Sequence, residues 1–495
     1  ARMAFQPASQ TQQLAAVRQQ LDALSRQKEQ LERQLADAVP GFRAKLIADE
    51  PPPHTRLAEQ LPAKTAYIDF LQFRYVPPGA TGLQPSSPRL KEIAERTVCY
   101  AAFLLLAGNQ AKRIDLGPAQ PIDEAIDRWR REIVAGRAGT AGFELRNLLW
   151  QPIEEQLSGG VETIYLVPDG RLSSVPWAAL PGKARGTVLL EQFAIALVPH
   201  GQFLLQRLTP YQPAADLSRV LAVGNPDFGA SGDASRDNWP RLPGTQQELG
   251  EIAAFAGGRA TVISGTDATT DRVLRELPRA SLAHLATHGF FADAELRSFL
   301  QLDAETFAER DRGVGLRTSV VERNPLLLSG LALAGANQSN GDEMPQAPSG
   351  ILTAETIAGL PLDKLYLAVL SACDTGLGDV AGGEGVFGLQ RAFHQAGAQN
   401  VVASLWKVND ESTAALMRLF YYNLWEEKLP PLEALRRAQI TLYRGPDQIN
   451  ALATTTRGPN FNKVVKLVEG RAVRENPERS PPRVWAAFVL SGPGR

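Results

Sequence analysis

The run DKLYLAVLSAC, residues 363–373, is apolar without a break from Leu365 to Leu370. A strand with no polar alternation has no face to give to water, so it must be covered on both sides, as strands of parallel sheets are. That points to an α/β architecture with helices packed over a mostly parallel sheet. The flanking sequence repeats the same grammar. TDRVLREL (270–277) reads as a helix, and ASLAHLATHGFF (280–291) as a strand ending near His288. After the apolar run, Val386, Leu389 and Phe393 fall on one helix face, with Gly397 as the stop. NVVASLW (400–406) is the next strand, a helix burying Met417, Phe420 and Leu424 follows, and RVWAAFVLSG (483–492) closes the chain as a strand.

Upstream, TIYLVPDG (163–170), FAIALVPH (193–200), RVLAVGNPDF (219–228) and ATVISG (260–265) are short apolar runs between turn residues, alternating with helical stretches such as 245–256. We read 160–265 as an accessory α/β subdomain and 266–495 as a second one carrying the reactive candidates. Residues 41–159 form a connector and helical region in which TAYIDFLQFRYV (65–76) feeds an edge strand. Residues 1–40 hold a long helix whose Leu14, Val17, Leu21, Leu24, Leu31 and Leu35 make a coiled-coil-like seam ended by Pro40. The charged stretch 303–324 and the turn-forming GANQSNGDEMPQAPSG (335–350) interrupt the pattern as long loops.

At 495 residues the chain exceeds one ordinary core, so two or three domains are expected. A net charge of −1 gives no reason to expect a nucleic acid or an anionic membrane as partner. Two cysteines, Cys99 and Cys373, are too few for a disulfide framework or a zinc knuckle, which favours a reducing, cytoplasmic setting. No segment reaches the roughly 18 unbroken apolar residues of a membrane span. A start at Ala1 rather than Met suggests a fragment.

Functional groups in an open parallel sheet gather beyond the carboxyl ends of its strands, and His288 and Cys373 each stand at such an end. A thiol with a pKa of about 8.5 is mostly protonated at neutral pH, whereas the thiolate is the nucleophile. An imidazole beside it would take the proton and later return one to a leaving amine. The backbone N–H groups of Gly289 and Cys373 could bind the oxyanion of a tetrahedral intermediate. By spacing alone, a dyad and a pair of buried bystanders are equally consistent with these residues. Cys99, crowded by apolar and aromatic neighbours, reads as a small core residue. His284 and His288 would lie about 13 Å apart along a strand, too far to share a metal, so His284 reads as structural. His394 reads as a partly exposed helix residue, and Glu384 as an acid favoured by a helix start. The glycines of 376–388 lack the lysine of a phosphate-binding loop. Neither metal nor other cofactor is expected.

HLATHGFF, LSACDTGLG, GGEGVFGLQRAFHQAGAQNVVASLWKVND and WAAFVLSG, with LVPDGRLSSVPWAAL upstream, together resemble the CHAT family. These are caspase-like domains commonly joined to tetratricopeptide repeats and related in fold to separase and the caspases. The resemblance covers about residues 65–492. It implies a caspase-like sheet, a clan CD cysteine endopeptidase with a His288–Cys373 dyad, and a pseudo-protease character for the accessory layer at 160–265. Its partners would be a protein substrate and a regulatory protein or tetratricopeptide-repeat region. The repeat array usual in the family has no counterpart here beyond the N-terminal helix. Several proteases of this fold place an acid in the primary specificity pocket at about the position of Asp410, which equally suits a helix N-cap. Asp374 could shape the substrate groove, although an acid beside a thiol raises its pKa. Two other readings stay open: a catalytically silent interaction scaffold, and a thiol acyltransferase using the same dyad.

Overall fold

The computed structural model describes residues 53–75, 98–137, 139–157, 159–208, 217–229, 239–291, 329–337, 350–371, 384–406, 410–454 and 478–495. All of them belong to one compact unit. Its first strands are β1 (Thr65–Arg74), β2 (Val98–Leu106), β3 (Lys112–Pro118), β4 (Thr163–Val167) and β5 (Ala194–Leu197). Helices α1 (Ala119–Val134) and α2 (Gly201–Leu208) belong to the same stretch. Then come β6 (Val220–Pro226), α3 (Gly244–Ala256), β7 (Ala260–Gly265), α4 (Thr270–Glu276), β8 (Leu282–Ala286), β9 (Gly289–Phe291), β10 (Ser329–Ala332) and β11 (Ile351–Thr353). The chain continues through α5 (Ala354–Ala358), β12 (Leu367–Leu370), α6 (Glu384–Gln395), β13 (Asn400–Ser404), α7 (Asp410–Trp425), α8 (Pro431–Arg444) and β14 (Phe488–Ser491).

Eleven strands form one sheet in the order β3-β2-β1-β4-β5-β14-β13-β12-β8-β6-β7. β14 runs antiparallel to β13, β2 is antiparallel to both its neighbours, and the remaining pairs are parallel. The expected α/β class with a mostly parallel sheet is therefore present. A separate three-stranded antiparallel sheet, β11-β10-β9, lies at the end of β8.

The unbroken apolar runs behave as their chemistry requires. All residues of β8, β12 and β13 are buried. In β12, Leu367 and Val369 face a core shared with α3 and α7, while Ala368 and Leu370 face a second core with α4, α5 and α6. Each fully buried Leu or Val contributes about 1.5–3 kcal/mol, so neither face can be uncovered cheaply. Gly397 takes φ +117° just beyond α6, and a Cβ there would meet Asp363 backbone nitrogen at 2.8 Å. Gly closes this turn because no other residue fits it.

Several expectations differ from what is found. β1 is interior, between β2 and β4, and β3 is the edge on that side. A parallel neighbour nearly a hundred residues downstream supplies its second partner, and nothing local announces that. The strands between 160 and 265 divide: β4 and β5 lie on one side of β14, whereas β6 and β7 lie beside β8. Cys99 is half-buried on β2 rather than in the core, a free thiol paired in register with Phe73 and Pro118 near the sheet margin. The N-terminal seam helix lies outside the described residues. No helix among the described residues is long and apolar enough to cross a membrane.

Candidate active site

β8 ends at Ala286, and Thr287 and His288 carry the chain off the sheet at its carboxyl edge before it pairs again as β9. The Thr287 hydroxyl donates to the Ala332 carbonyl, and the Ala332 N–H donates to the His288 carbonyl at 2.8 Å. Both bonds tie the turn to β10. Antiparallel ladders alternate bonded and non-bonded pairs. Because His288 and Ala332 are joined by a hydrogen bond, Gly289 opposite Leu331 directs its N–H away from β10.

The His288 side chain is enclosed, with the residue 2% exposed. Its ring sits between Phe228 and Trp239, at centroid distances of 5.2 and 5.3 Å, and Trp239 in turn lies 6.0 Å from Phe290. Nε2 is 2.7 Å from the Pro240 carbonyl oxygen. A carbonyl only accepts, so Nε2 carries a proton, and in the neutral tautomer that makes this bond the lone pair is on Nδ1. The aromatic walls and this bond fix the plane of the imidazole and hold a proton on Nε2.

β12 lies directly beside β8, parallel, with Leu370 paired to Leu285. His288 is three residues beyond Leu285, and Cys373 is three residues beyond Leu370 in sequence. Cys373 and Asp374 lie outside the described residues, as does the segment up to 383. Asp410 is the first residue of α7, and nothing of its side chain is described.

The other histidines have separate partners. His284 is fully buried in β8, with Nε2 donating to Glu248 at 3.0 Å and Nδ1 2.8 Å from the Tyr421 hydroxyl, which ties α3 and α7 to the strand. Burial, followed by the Glu248 charge, pushes the Tyr421 phenol well above its ordinary range. His394 is buried rather than partly exposed. Its Nδ1–H donates to the Ala398 carbonyl at 3.0 Å, Nε2 accepts from the Ser491 hydroxyl at 2.9 Å, and Phe203 packs edge-on at 4.6 Å. Helix α6 is covered on this face by α2 and β14, which its amphipathic pattern alone does not reveal. Burial lowers the His394 pKa to about 4. Among the described residues, no group of three or more His, Cys, Asp or Glu is placed to hold a metal ion.

Phe228, Trp239, Pro240 and Asn337 contact or brace His288 without having been singled out in the sequence. Pro240 acts through a carbonyl, which every residue possesses, so composition carries no signal of it. Trp239 in an otherwise polar loop was the one available cue.

The CHAT domain family matches residues 140–493. Tetratricopeptide repeat protein 28 of Mus musculus is 28% identical over 296 residues, covering 57% of this chain and 12% of that protein. The Homo sapiens protein of the same name is 28% identical over 295 residues, covering 57% and 11%. The chain thus spans about a tenth of the length of these curated relatives. Two crystal structures of the Saccharomyces cerevisiae separase–securin complex align with TM-scores of 0.35 and 0.36 at 13% and 14% identity, covering 71% of this chain and 17% of theirs.

Proposed function

The chain belongs to the CHAT domain family, and from that premise we propose that it is a cysteine endopeptidase cleaving a protein substrate through a His288–Cys373 dyad. The observation that carries this reading is the orientation of His288. A buried imidazole whose Nε2–H is held by the Pro240 carbonyl presents Nδ1 as a base at the carboxyl end of the strand adjoining β12. Nδ1 takes the Cys373 proton, the thiolate attacks the scissile carbonyl carbon, and the imidazolium returns the proton to the departing amine. The acyl-enzyme is then opened by water that His288 deprotonates, releasing the acid and the thiol. The Gly289 N–H, turned away from β10, and the Cys373 N–H stabilise the oxyanion in both tetrahedral intermediates.

The half carrying β1–β5 serves in this reading as an accessory layer seated on β14. Asp410 and Asp374 are the candidates for shaping the substrate groove. A tetratricopeptide-repeat region recruits the substrate, in keeping with the names of the repeat proteins that match part of this chain. Such a partner would also set the activity; the stretch 303–324 and most of 335–350, expected from the sequence to regulate it, lie outside the described residues. The competing reading is a silent scaffold of the same fold, and the presence of His288, Gly289 and Cys373 together favours the enzyme, because a scaffold has no need of all three.

The test compares the protein with Cys373→Ala and His288→Ala against a peptide library and an electrophilic thiol probe. Cleavage and Cys373 labelling that both disappear in the two variants are expected. Cleavage surviving Cys373→Ala would sink the dyad, and labelling without turnover, with repeat partners added, would favour the scaffold.

A further inference from the structure

The carbonyl that orients His288 belongs to Pro240, an exposed residue in a loop rather than a strand, so something must hold that loop. The side chain of Asn337 does so with three hydrogen bonds. Its Oδ1 accepts from the Trp239 N–H at 2.8 Å, and its Nδ2 donates to the Trp239 carbonyl and to the Gly229 carbonyl, both at 3.1 Å. One amide therefore closes on both backbone groups of Trp239, the residue before Pro240. Its own backbone is anchored to the same strand end: the Asn337 N–H donates to the Phe228 carbonyl at 2.8 Å, and the Gly335 N–H to the Asp227 carbonyl at 3.0 Å. Phe228 and Trp239, the two rings enclosing the imidazole, are thus the residues whose backbone this turn holds.

We propose that Asn337 is a positioning residue for the reaction, fixing the Trp239–Pro240 peptide so that the Pro240 carbonyl holds the proton of His288 on Nε2 and leaves Nδ1 as the base; this rests on the dyad reading above. Only an asparagine side chain offers an acceptor and two N–H donors at this reach. Aspartate has the same shape but would set a carboxylate oxygen against two carbonyl oxygens, so Asn337→Asp removes the donors without changing volume.

The experiment uses the full chain in a Cys99→Ser background, so that Cys373 is the sole thiol. Ring ¹⁵N signals of histidine report which nitrogen of His288 is protonated, and the rate of iodoacetamide alkylation at pH 7 reports thiolate formation. The expected result is an Nε2–H ring in the parent, loss of that preference in Asn337→Asp, and alkylation slowed about tenfold, as a one-unit rise in thiol pKa requires. Peptide turnover should fall in kcat with KM little changed. An Nδ1–H ring in the parent would overturn the proposal whether or not the variant folds. So would an Asn337→Asp protein, folded by circular dichroism, that loses only melting temperature while the His288 tautomer and alkylation rate stay at parent values. If Asn337→Asp does not fold, the shorter Asn337→Ser replaces it and is read in the same way. His288→Ala separates the two levels: if alkylation of Cys373 is indifferent to it, the dyad itself is wrong, whereas sensitivity to His288→Ala with indifference to Asn337→Asp rejects only the positioning role.

Discussion

Acidification should loosen the contact between α6 and β14 through one residue. The neutral ring of His394 donates from Nδ1 to the Ala398 carbonyl and accepts at Nε2 from the Ser491 hydroxyl, a pattern that a doubly protonated ring cannot keep. Burial, with the Arg207 and His200 charges adding to it, lowers its pKa from 6.5 to about 4, against the two hydrogen bonds that raise it. The unfolded chain retains the ordinary value, so between pH 6.5 and 4 it binds a proton that the native state refuses. The stability from a neutral His394 is accordingly complete above about pH 6.5 and is lost as pH falls. A shift of this size corresponds to about 3 kcal/mol in all, of which about 2 kcal/mol is gone by pH 5. The chain has five histidines, so histidine-selective NMR can follow each ring, with His394→Asn assigning the signal. Asparagine retains a donor near the Nδ1 position and removes the titration. Its unfolding free energy should therefore fall by about 2 kcal/mol less than that of the parent between pH 7.5 and 5. A His394 signal titrating near 6.5, or equal pH dependence in the two proteins, would refute the reasoning.

Tyr421→Phe removes the hydroxyl paired with Nδ1 of the fully buried His284, and urea unfolding should show a loss of about 1–3 kcal/mol; an unchanged midpoint would mean that the strand-to-helix tie carries no weight. Gly330→Ala places a Cβ 2.5 Å from the Leu352 carbonyl oxygen and 2.8 Å from the Phe290 ring, so β10 must part from its neighbours. A melt should register a loss of about 1–3 kcal/mol. Because the same sheet holds Gly289, probe labelling of Cys373 should weaken in parallel. Gln390 is 1% exposed with neither amide atom hydrogen-bonded, so Gln390→Met should raise stability by about 1 kcal/mol; a lowered melting temperature would count against it.

The sequence by itself determined what depends on near neighbours. Unbroken apolar runs specified β8, β12 and β13 as strands buried on both faces, because burial of each residue follows from its own side chain. Helical periodicity marked α6 and α7, and Gly397 marked the turn after α6, since steric limits on φ act within a few bonds. His288 at a strand end was legible for the same reason. Strand order was not: β1 became interior, and β6 and β7 joined β8 rather than β4 and β5, because pairing is decided between segments far apart in the chain. The burial of His394 depended on α2 and β14 arriving to cover its helix. The brace of His288 was the least legible of all. Pro240 contributes only a backbone carbonyl, and Asn337 stands in a stretch of turn formers indistinguishable by composition from any other loop. Chemical identity along the chain marked His288 as a candidate base; the tertiary structure alone decided which of its two nitrogens meets the Pro240 carbonyl.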